Sequence, residues 1–376
     1  MAVSGRMGLI AFDARVLNER GTSAALYDFA DGAERELGHR SVIFHQVGTQ
    51  AFNPGAVRLI AQRFEPVGYT DDDDLGRKVR AMGADLVYAF NFGPKDDRLV
   101  AGVKNVRHVL FQHYRPYGDV YAYISEWLAA HAALGHQPWA PLIVNLPAPE
   151  RRLRRTWGFS EEAVVLGRHG GFDQFDLPFV KGAIEAALER RRDLCFAFLN
   201  TEPFIRSERV RFLAPVYDLK SKSDFVTSCD AMLHARKAGE GFGLAVAEFL
   251  FFDKPVICWA GGKDRNHLEL VPDRRHVYRS ATDLLRILLG FRPAPSDGRY
   301  RAAVARFAPP QAMARFADVF IEGRVEAKAP PPWPMRARAK LTTRALVLQG
   351  RLWRDRGDLE VRAWRKAPRL PAPPAS

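Results

Sequence analysis

The apolar positions of this chain fall in short continuous runs separated by longer stretches with helical spacing. Met7–Val16 (MGLIAFDARV) reads as a strand. Gly21, Thr22 and Ser23 lead into a helix that runs to about Leu37 and stops at Gly38, and Ser41–Val47 reads as a second strand. Asp85–Phe92, Val106–Gln112 and Tyr121–Ser125 are further strands, rich in Val, Tyr, Phe and Leu, and Glu126–Leu134 is a helix. Proline and the cluster RRLRR then interrupt the pattern between Leu146 and Glu162, which marks an interdomain linker. The alternation restarts with a strand at Val164–Leu166, a helix beyond Pro178, and strands at Leu194–Asn200 and Val210–Leu213, with Phe225–Cys229 continuing the sheet. Leu244–Phe252 is an apolar helix holding one charge, Glu248, and Val256–Trp259 is a buried strand. Ala281–Leu289 is a late helix, and Pro310–Glu322 carries apolar residues at Met313, Phe316, Val319 and Phe320. Alternating strands and helices predict parallel α/β sheets, which bind ligands at the carboxyl ends of their strands.

The chemistry concentrates in Leu233–Leu270. Gly239–Gly243 places three glycines in five residues at the start of a helix. Glycine lets main-chain amides approach a ligand closely, and the unpaired first-turn N–H groups and the helix dipole both favour an anion. Glu240 stands at the loop end of that helix and Glu248 eight residues later. Treated as helical rise, eight residues span roughly 12 Å, about the reach from a ribose across a diphosphate to a sugar. One carboxylate can then accept from sugar hydroxyls and the other from ribose hydroxyls, with the amides of Gly241, Phe242, Gly243 and Leu244 facing the diphosphate. A lone carboxylate among Val246, Phe249, Leu250 and Phe251 is costly to bury without a partner. A second anion-friendly turn follows the Val164 strand, with Gly167, Arg168, Gly170 and Gly171. There Arg168 supplies a charge-assisted contact to the diphosphate.

The run E-G-F-G-L-A-V-A-E, followed by a K-P-V-I-C strand and a G-G loop, resembles the donor site of family 4 glycosyltransferases, whose signature has two glutamates separated by seven residues, as Glu240 and Glu248 are. The resemblance implies a GT-B fold, α/β with two Rossmann-like domains facing a cleft. It also implies transfer of a sugar from a nucleotide-sugar donor with retention of configuration and without a metal or other cofactor. It is specific from about Val164 to Leu289; before that, only the strand–helix pattern and the position of His113 carry it. In such enzymes a histidine in the loop FQHYRPYGD's position contacts the donor sugar, so His113 is carried over, with Glu240 and Arg168, to the catalytic set. Gly21, in the first strand-to-helix turn, faces the cleft. Gly170, Gly171, Asn200, Arg236, Gly241, Phe242, Gly243, Leu244 and Glu248 make up the donor-binding set. Pro215–Lys222 resembles the segment that holds the nucleotide base. The family also places a lysine shortly after its G-R pair, whereas this chain has Gln174 at that spacing, preceded by Asp173, with Lys181 farther on. That departure leaves open whether one cation or two neutralise the leaving group.

The domain plan is therefore an acceptor-side domain at 1–147, a linker at 148–162, a nucleotide-sugar domain at 163–308, a helix at 309–323 that crosses back to the first domain, and a basic Pro-rich extension at 324–376. The net charge of +13 belongs mainly to that extension, which holds 13 Lys/Arg and 4 Asp/Glu and hence +9; the other 323 residues carry only +4. A near-neutral body without a basic-aromatic groove argues against nucleic acid as a partner. Basic residues interspersed with Leu341, Leu346, Leu348, Leu352, Trp353 and Trp364 in Arg336–Lys366 suggest a helix on an anionic membrane; a disordered tail or a helix packed on the body are the other readings. No apolar run approaches bilayer length, the N-terminus has no signal-like core, and Cys195, Cys229 and Cys258 are widely spaced in apolar surroundings. A cytoplasmic protein, peripheral at most to the inner face of a membrane, is expected. Thr70 with Asp71–Asp74 reads as a cap with acids in the first helical turn rather than as a metal site. The acceptor is a glycan, a polysaccharide or a lipid-linked species. The other classes left open are a sugar-nucleotide-binding protein that has lost catalysis, for which Gln174 argues, and, on isoelectric point alone, a nucleic-acid-binding protein.

Overall fold

A computed structural model describes residues 8–17, 21–48, 54–93, 98–216 and 218–366. Met7, Tyr217 and the chain after Lys366, all touched by the readings above, lie outside the described residues.

The first half is a six-stranded parallel sheet of β1 (Leu9–Asp13), β2 (Arg40–Gln46), β3 (Val67–Tyr69), β4 (Leu86–Asn91), β5 (Lys104–Val109) and β6 (Val120–Tyr123), in the order β3-β2-β1-β4-β5-β6. The second half repeats the arrangement. Its strands are β7 (Val164–Arg168), β8 (Leu194–Leu199), β9 (Val210–Leu213), β10 (Ala231–His234), β12 (Val256–Trp259) and β14 (Val277–Tyr278), in the order β14-β12-β10-β7-β8-β9. Two-residue strands β11 (Gly239–Glu240) and β13 (Asp264–Arg265) pair with each other outside that sheet. The strands β1, β4, β7, β8, β10 and β12 are buried along their whole length, which is why they appear in sequence as unbroken apolar runs rather than alternating ones. In each sheet the strand order reverses beside the first strand, between β1 and β4 and between β7 and β10, and a crevice opens there at the carboxyl ends.

Several local readings change. Residues Leu219–Ser228 form a helix, capped by the Asp218 carboxylate on the Ser221 amide, where Phe225–Cys229 was expected to extend the sheet. The sheet instead continues at β10. The helix Pro54–Ala61 and the short strand β3 were not anticipated. The acidic run is a cap, as expected, but Asp71 rather than Thr70 accepts from the Asp74 amide, while Asp74 pairs with Lys78 at 2.9 Å. The stretch 148–162 runs between the sheets but lies folded against the second half. Arg154 is buried, donates to the Ser228, Ala163 and Glu161 carbonyls and pairs with Asp230 at 2.6 Å.

After the second sheet the chain returns to the first. Pro309–Phe316 is α-helical and Ala317–Ile321 continues it as a π-turn. Phe316 packs on Phe29 and Tyr88, and Phe320 on Tyr88 and His108, so these rings belong to the core of the first half. Within the basic extension, Trp333–Lys366 is a 34-residue helix packed on the body. Its Gly357 lies against the Phe179 ring and its Val361 against Gly182, where a Cβ on either glycine would come within 2.7 Å of its neighbour. Among the described residues no helix is long and apolar enough to cross a membrane.

Candidate functional site

The crevice at the strand-order reversal of the second sheet gathers the candidate residues. Arg168 ends β7 and His234 ends β10. Beyond β10 the chain turns through Arg236 into β11, so Glu240 sits on a short strand and not on the helix. The roughly 12 Å helical rise assumed between the two glutamates therefore does not apply; the helix begins only at Leu244, after Gly243 in the left-handed region at φ 92°.

Glu240 is held by two neighbours. Its Oε2 accepts from Arg236 at 2.6 Å, and its Oε1 lies 3.4 Å from His234 Nε2. Burial pushes the carboxyl up, but Arg236, His234 and His267 outweigh it and hold the pKa at about 2, so Glu240 is an anion at any working pH. His234 stacks on His267, with ring centroids 4.6 Å apart. Burial, then His234, lowers the His267 pKa to about 3; the neutral ring lies 2.9 Å from the Trp259 carbonyl through Nε2, which leaves Nδ1 as an acceptor. Nδ1 of His234 and Nδ1 of His267 are buried without hydrogen-bond partners among the described residues. This is polar capacity packed directly behind Glu240.

Glu248 is a second buried anion. Lys222 Nζ lies 2.8 Å from its Oε1, and His169 Nε2 stands 3.0 Å from Oε2 while the His169 ring stacks on Phe249. Burial raises the Glu248 pKa, but Lys222 and His169 overcome it and hold it at about 2. The cost foreseen for a lone carboxylate in an apolar helix is thus met by two partners from other elements. Sequence reasoning identified neither Lys222 nor His169 as a site residue. The absent lysine near Gln174 was the signal to look for a cation elsewhere, and Lys222 is a cation of this crevice, paired with Glu248.

Arg168 is buried and bonded differently from the expectation. Its guanidinium donates to the Asn200 and Gly171 carbonyls and to the Thr201 hydroxyl at 2.6–2.9 Å, and so organises two loops. Asn200, at φ 51°, donates back to the Gly170 carbonyl, and Gln174 accepts from the Gly171 amide. The Gly171 amide expected at the diphosphate is therefore occupied, and the Arg168 guanidinium is spent on the two loops. Burial lowers its pKa to about 10, partly offset by Glu240, and it stays cationic near neutrality.

The glycines of the E-G-F-G run serve the junction of the two halves. A Cβ on Gly241 would fall 2.7 Å from the Leu110 carbonyl of the first half, and the Gly241 carbonyl accepts from Ser125 Oγ at 2.6 Å. Phe242 turns its ring into the core against Phe307 and its carbonyl accepts from Asn266 Nδ2 at 2.6 Å, so neither is offered to a ligand. The helix starting at Leu244 has no side-chain cap, and its first-turn amides stay available. Leu244 lies against Gly21, the first residue of the helix Gly21–Arg35, so two helix N-termini meet across the cleft. His113 is exposed on the facing half, where burial, Lys263 and Arg115 lower its pKa and Asp264 opposes them.

Asp28, on that facing helix, feels Lys222 and Glu248. Burial, helped by Glu248 and Asp31 and opposed by Lys222, raises its pKa from 3.8 to about 7. A carboxyl that holds its proton more tightly when folded contributes stability that is complete below its unfolded pKa and is lost as pH rises through the folded one. The melting temperature is expected to fall between about pH 5 and pH 7.5, and to fall less in Asp28→Asn; parallel curves for the two proteins would contradict this coupling.

Two six-stranded parallel sheets with the same Rossmann strand order, facing across a cleft, define the GT-B fold. Solved structures bear this out. A glycosyltransferase from Rickettsia africae is 12% identical and matches over 85% of this chain and 99% of its own, with a TM-score of 0.62. HepE from Anabaena, solved with UDP-glucose, is 16% identical over 90% and 100%, with a TM-score of 0.54. A Listeria monocytogenes protein named as a UDP-N-acetylglucosamine 2-epimerase is 10% identical over 87% and 100%, with a TM-score of 0.52. No family model matches the sequence, and no curated protein matches it either.

Proposed function

We propose that this chain is a glycosyltransferase of the family 4 type, moving a sugar from a nucleoside-diphosphate donor to an acceptor with retention of configuration and without a metal ion. The observation that carries this reading is a pair of carboxylates held by basic partners at the junction of the halves, half-buried Glu240 just before an uncapped helix N-terminus and buried Glu248 within that helix. An N-terminus attracts phosphate, and each carboxylate offers lone pairs to hydroxyl groups. Glu248, kept ionised by Lys222 and His169, takes the ribose; Glu240, kept ionised by Arg236 and His234, takes the sugar.

As the glycosidic bond to the phosphate lengthens, the sugar becomes oxocarbenium-like and negative charge grows on the diphosphate. Positive potential fixed there beforehand lowers the barrier. Arg168 and the facing helix N-termini supply it, and Lys222 provides the second cation that Gln174 does not. His113 approaches the donor sugar from the other half. The acceptor is a glycan, a polysaccharide or a lipid-linked species. UDP is the first nucleotide to try, because HepE was solved with UDP-glucose and shares the fold.

A thermal-shift screen against UDP-, GDP- and ADP-sugars tests the site. Stabilisation by one nucleotide class is expected, worth about 2.7 kcal/mol at a hundredfold excess over Kd, and it should vanish in Glu248→Ala. Indifference to all three classes would remove the donor-site reading. Product analysis with the stabilising donor then separates transfer from the loss of catalysis that Gln174 suggests and from epimerisation, the reaction in the name of the Listeria neighbour.

A further inference from the structure

The helix Trp333–Lys366 has two apolar faces, and the body covers only one. On the covered face Gly350 meets Gly262, Gly357 meets Phe179, Val361 meets Gly182, and Trp353 packs edge-on against Trp259. On the other, Leu341, Leu348, Leu352 and Leu359 are each 57–62% exposed. Their spacings of seven, four and seven residues place all four within about 40° of one another around a helix of 3.6 residues per turn. A straight line of leucines left in water is a surface waiting for an apolar partner.

Charge decides which partner. The helix holds ten Lys/Arg and three Asp/Glu. By the same helical geometry Arg338 and Arg356 flank the leucine line on one side, and Arg344, Arg351 and Arg362 on the other. Arg351 and Arg356 have carboxylate neighbours on the helix itself, Asp355 and Glu360. Arg362 faces Asp358 one turn away, whereas Arg338 and Arg344 form no ion pair among the described residues. A second copy laid along the stripe would set arginines against arginines on both flanks. An anionic lipid surface neutralises both flanks and takes the leucines into the boundary between headgroups and acyl chains.

We propose that the outer face of this helix binds an anionic membrane surface, with Leu341, Leu348, Leu352 and Leu359 inserted and the flanking arginines on the lipid phosphates. The helix also bridges the two halves: Thr343 donates to Gln112 beside His113, and Arg265 donates to Gln349. Lipid binding through this face therefore brings the His113 loop close to the membrane plane. That last consequence, which favours a lipid-linked acceptor, rests on the transferase reading; the binding itself does not.

The test is flotation of the full-length protein with vesicles of phosphatidylcholine alone or with three-tenths phosphatidylglycerol. Binding to the anionic vesicles only, weakened by high salt, is expected. Arg338→Glu, Arg344→Glu and Arg362→Glu combined should weaken it roughly a hundredfold, each basic residue near the surface counting for close to a fivefold change. Leu348→Asp with Leu352→Asp should abolish it while the melting temperature and any nucleotide-sugar shift stay unchanged, since both leucines face solvent. Equal binding to neutral vesicles, binding that survives both variants, or a dimer without vesicle binding that the leucine variant dissolves would each overturn the proposal. Failure of the nucleotide screen would leave these results untouched, so the two readings fall separately.

Discussion

Glutamine in place of Glu240 should lower kcat/KM by about two to three orders of magnitude, the size usually lost with one preorganised polar group at a reacting centre. The substitution keeps the shape of the side chain and removes its charge. In the native protein Arg236 at 2.6 Å and His234 at 3.4 Å keep that charge in place, with a pKa of about 2. Glutamine at 240 still hydrogen-bonds a sugar hydroxyl, so most of the loss should lie in kcat and little in KM. Because Glu240 stays ionised far below neutrality, it contributes no acid limb to the rate profile above about pH 4, and a limb seen there belongs to another group. Steady-state kinetics with the donor found in the screen, together with a melting curve, check this. An unchanged kcat/KM would remove Glu240 from the reacting centre.

Lys222→Ala should cost about 3 kcal/mol of folding stability, the size expected when one partner of a buried ion pair is removed and the other is left behind. Glu248 would then depend on His169 alone, with Asp28 facing it. The sign of the pH dependence follows. The depressed pKa of Glu248 contributes stability that is present above its unfolded value of 4.5 and lost as pH falls through about 2. Without Lys222 that depression shrinks, so the deficit should be largest at neutral pH and smaller near pH 4, where the carboxyl can take up a proton. Urea denaturation at both pH values measures it, and Lys222→Met combined with Glu248→Leu should recover stability by filling the space with apolar groups. A deficit below about 0.5 kcal/mol would be that of an exposed lysine and would contradict the pairing.

What the sequence revealed and what it hid have physical causes. Fully buried parallel strands leave unbroken apolar runs, so Val256–Trp259 could be read to the residue, and Leu244–Phe252 almost so. Leu219–Ser228 was misread because its burial is polar. Three of its five buried residues, Ser223, Asp224 and Ser228, are polar, and Asp224 and Ser228 accept main-chain amides from Glu150, Arg151 and Leu153. A helix whose covered face is mostly polar shows little apolar period, and its two buried apolar residues, the adjacent Phe225 and Val226, imitate a strand. The two glutamates were visible because they sit in one short run. Their partners were not, since Lys222 lies 26 positions from Glu248 and meets it only once that helix is in place. Asp28 is farther still and arrives from the other half.

The return of residues 309–321 to the first sheet bears on how the molecule is made. Tyr88 and His108 are packed by Phe316 and Phe320, yet the ribosome delivers those two phenylalanines more than two hundred residues later. The half synthesised first must therefore wait, with part of its interior open, until Phe316 and Phe320 have emerged.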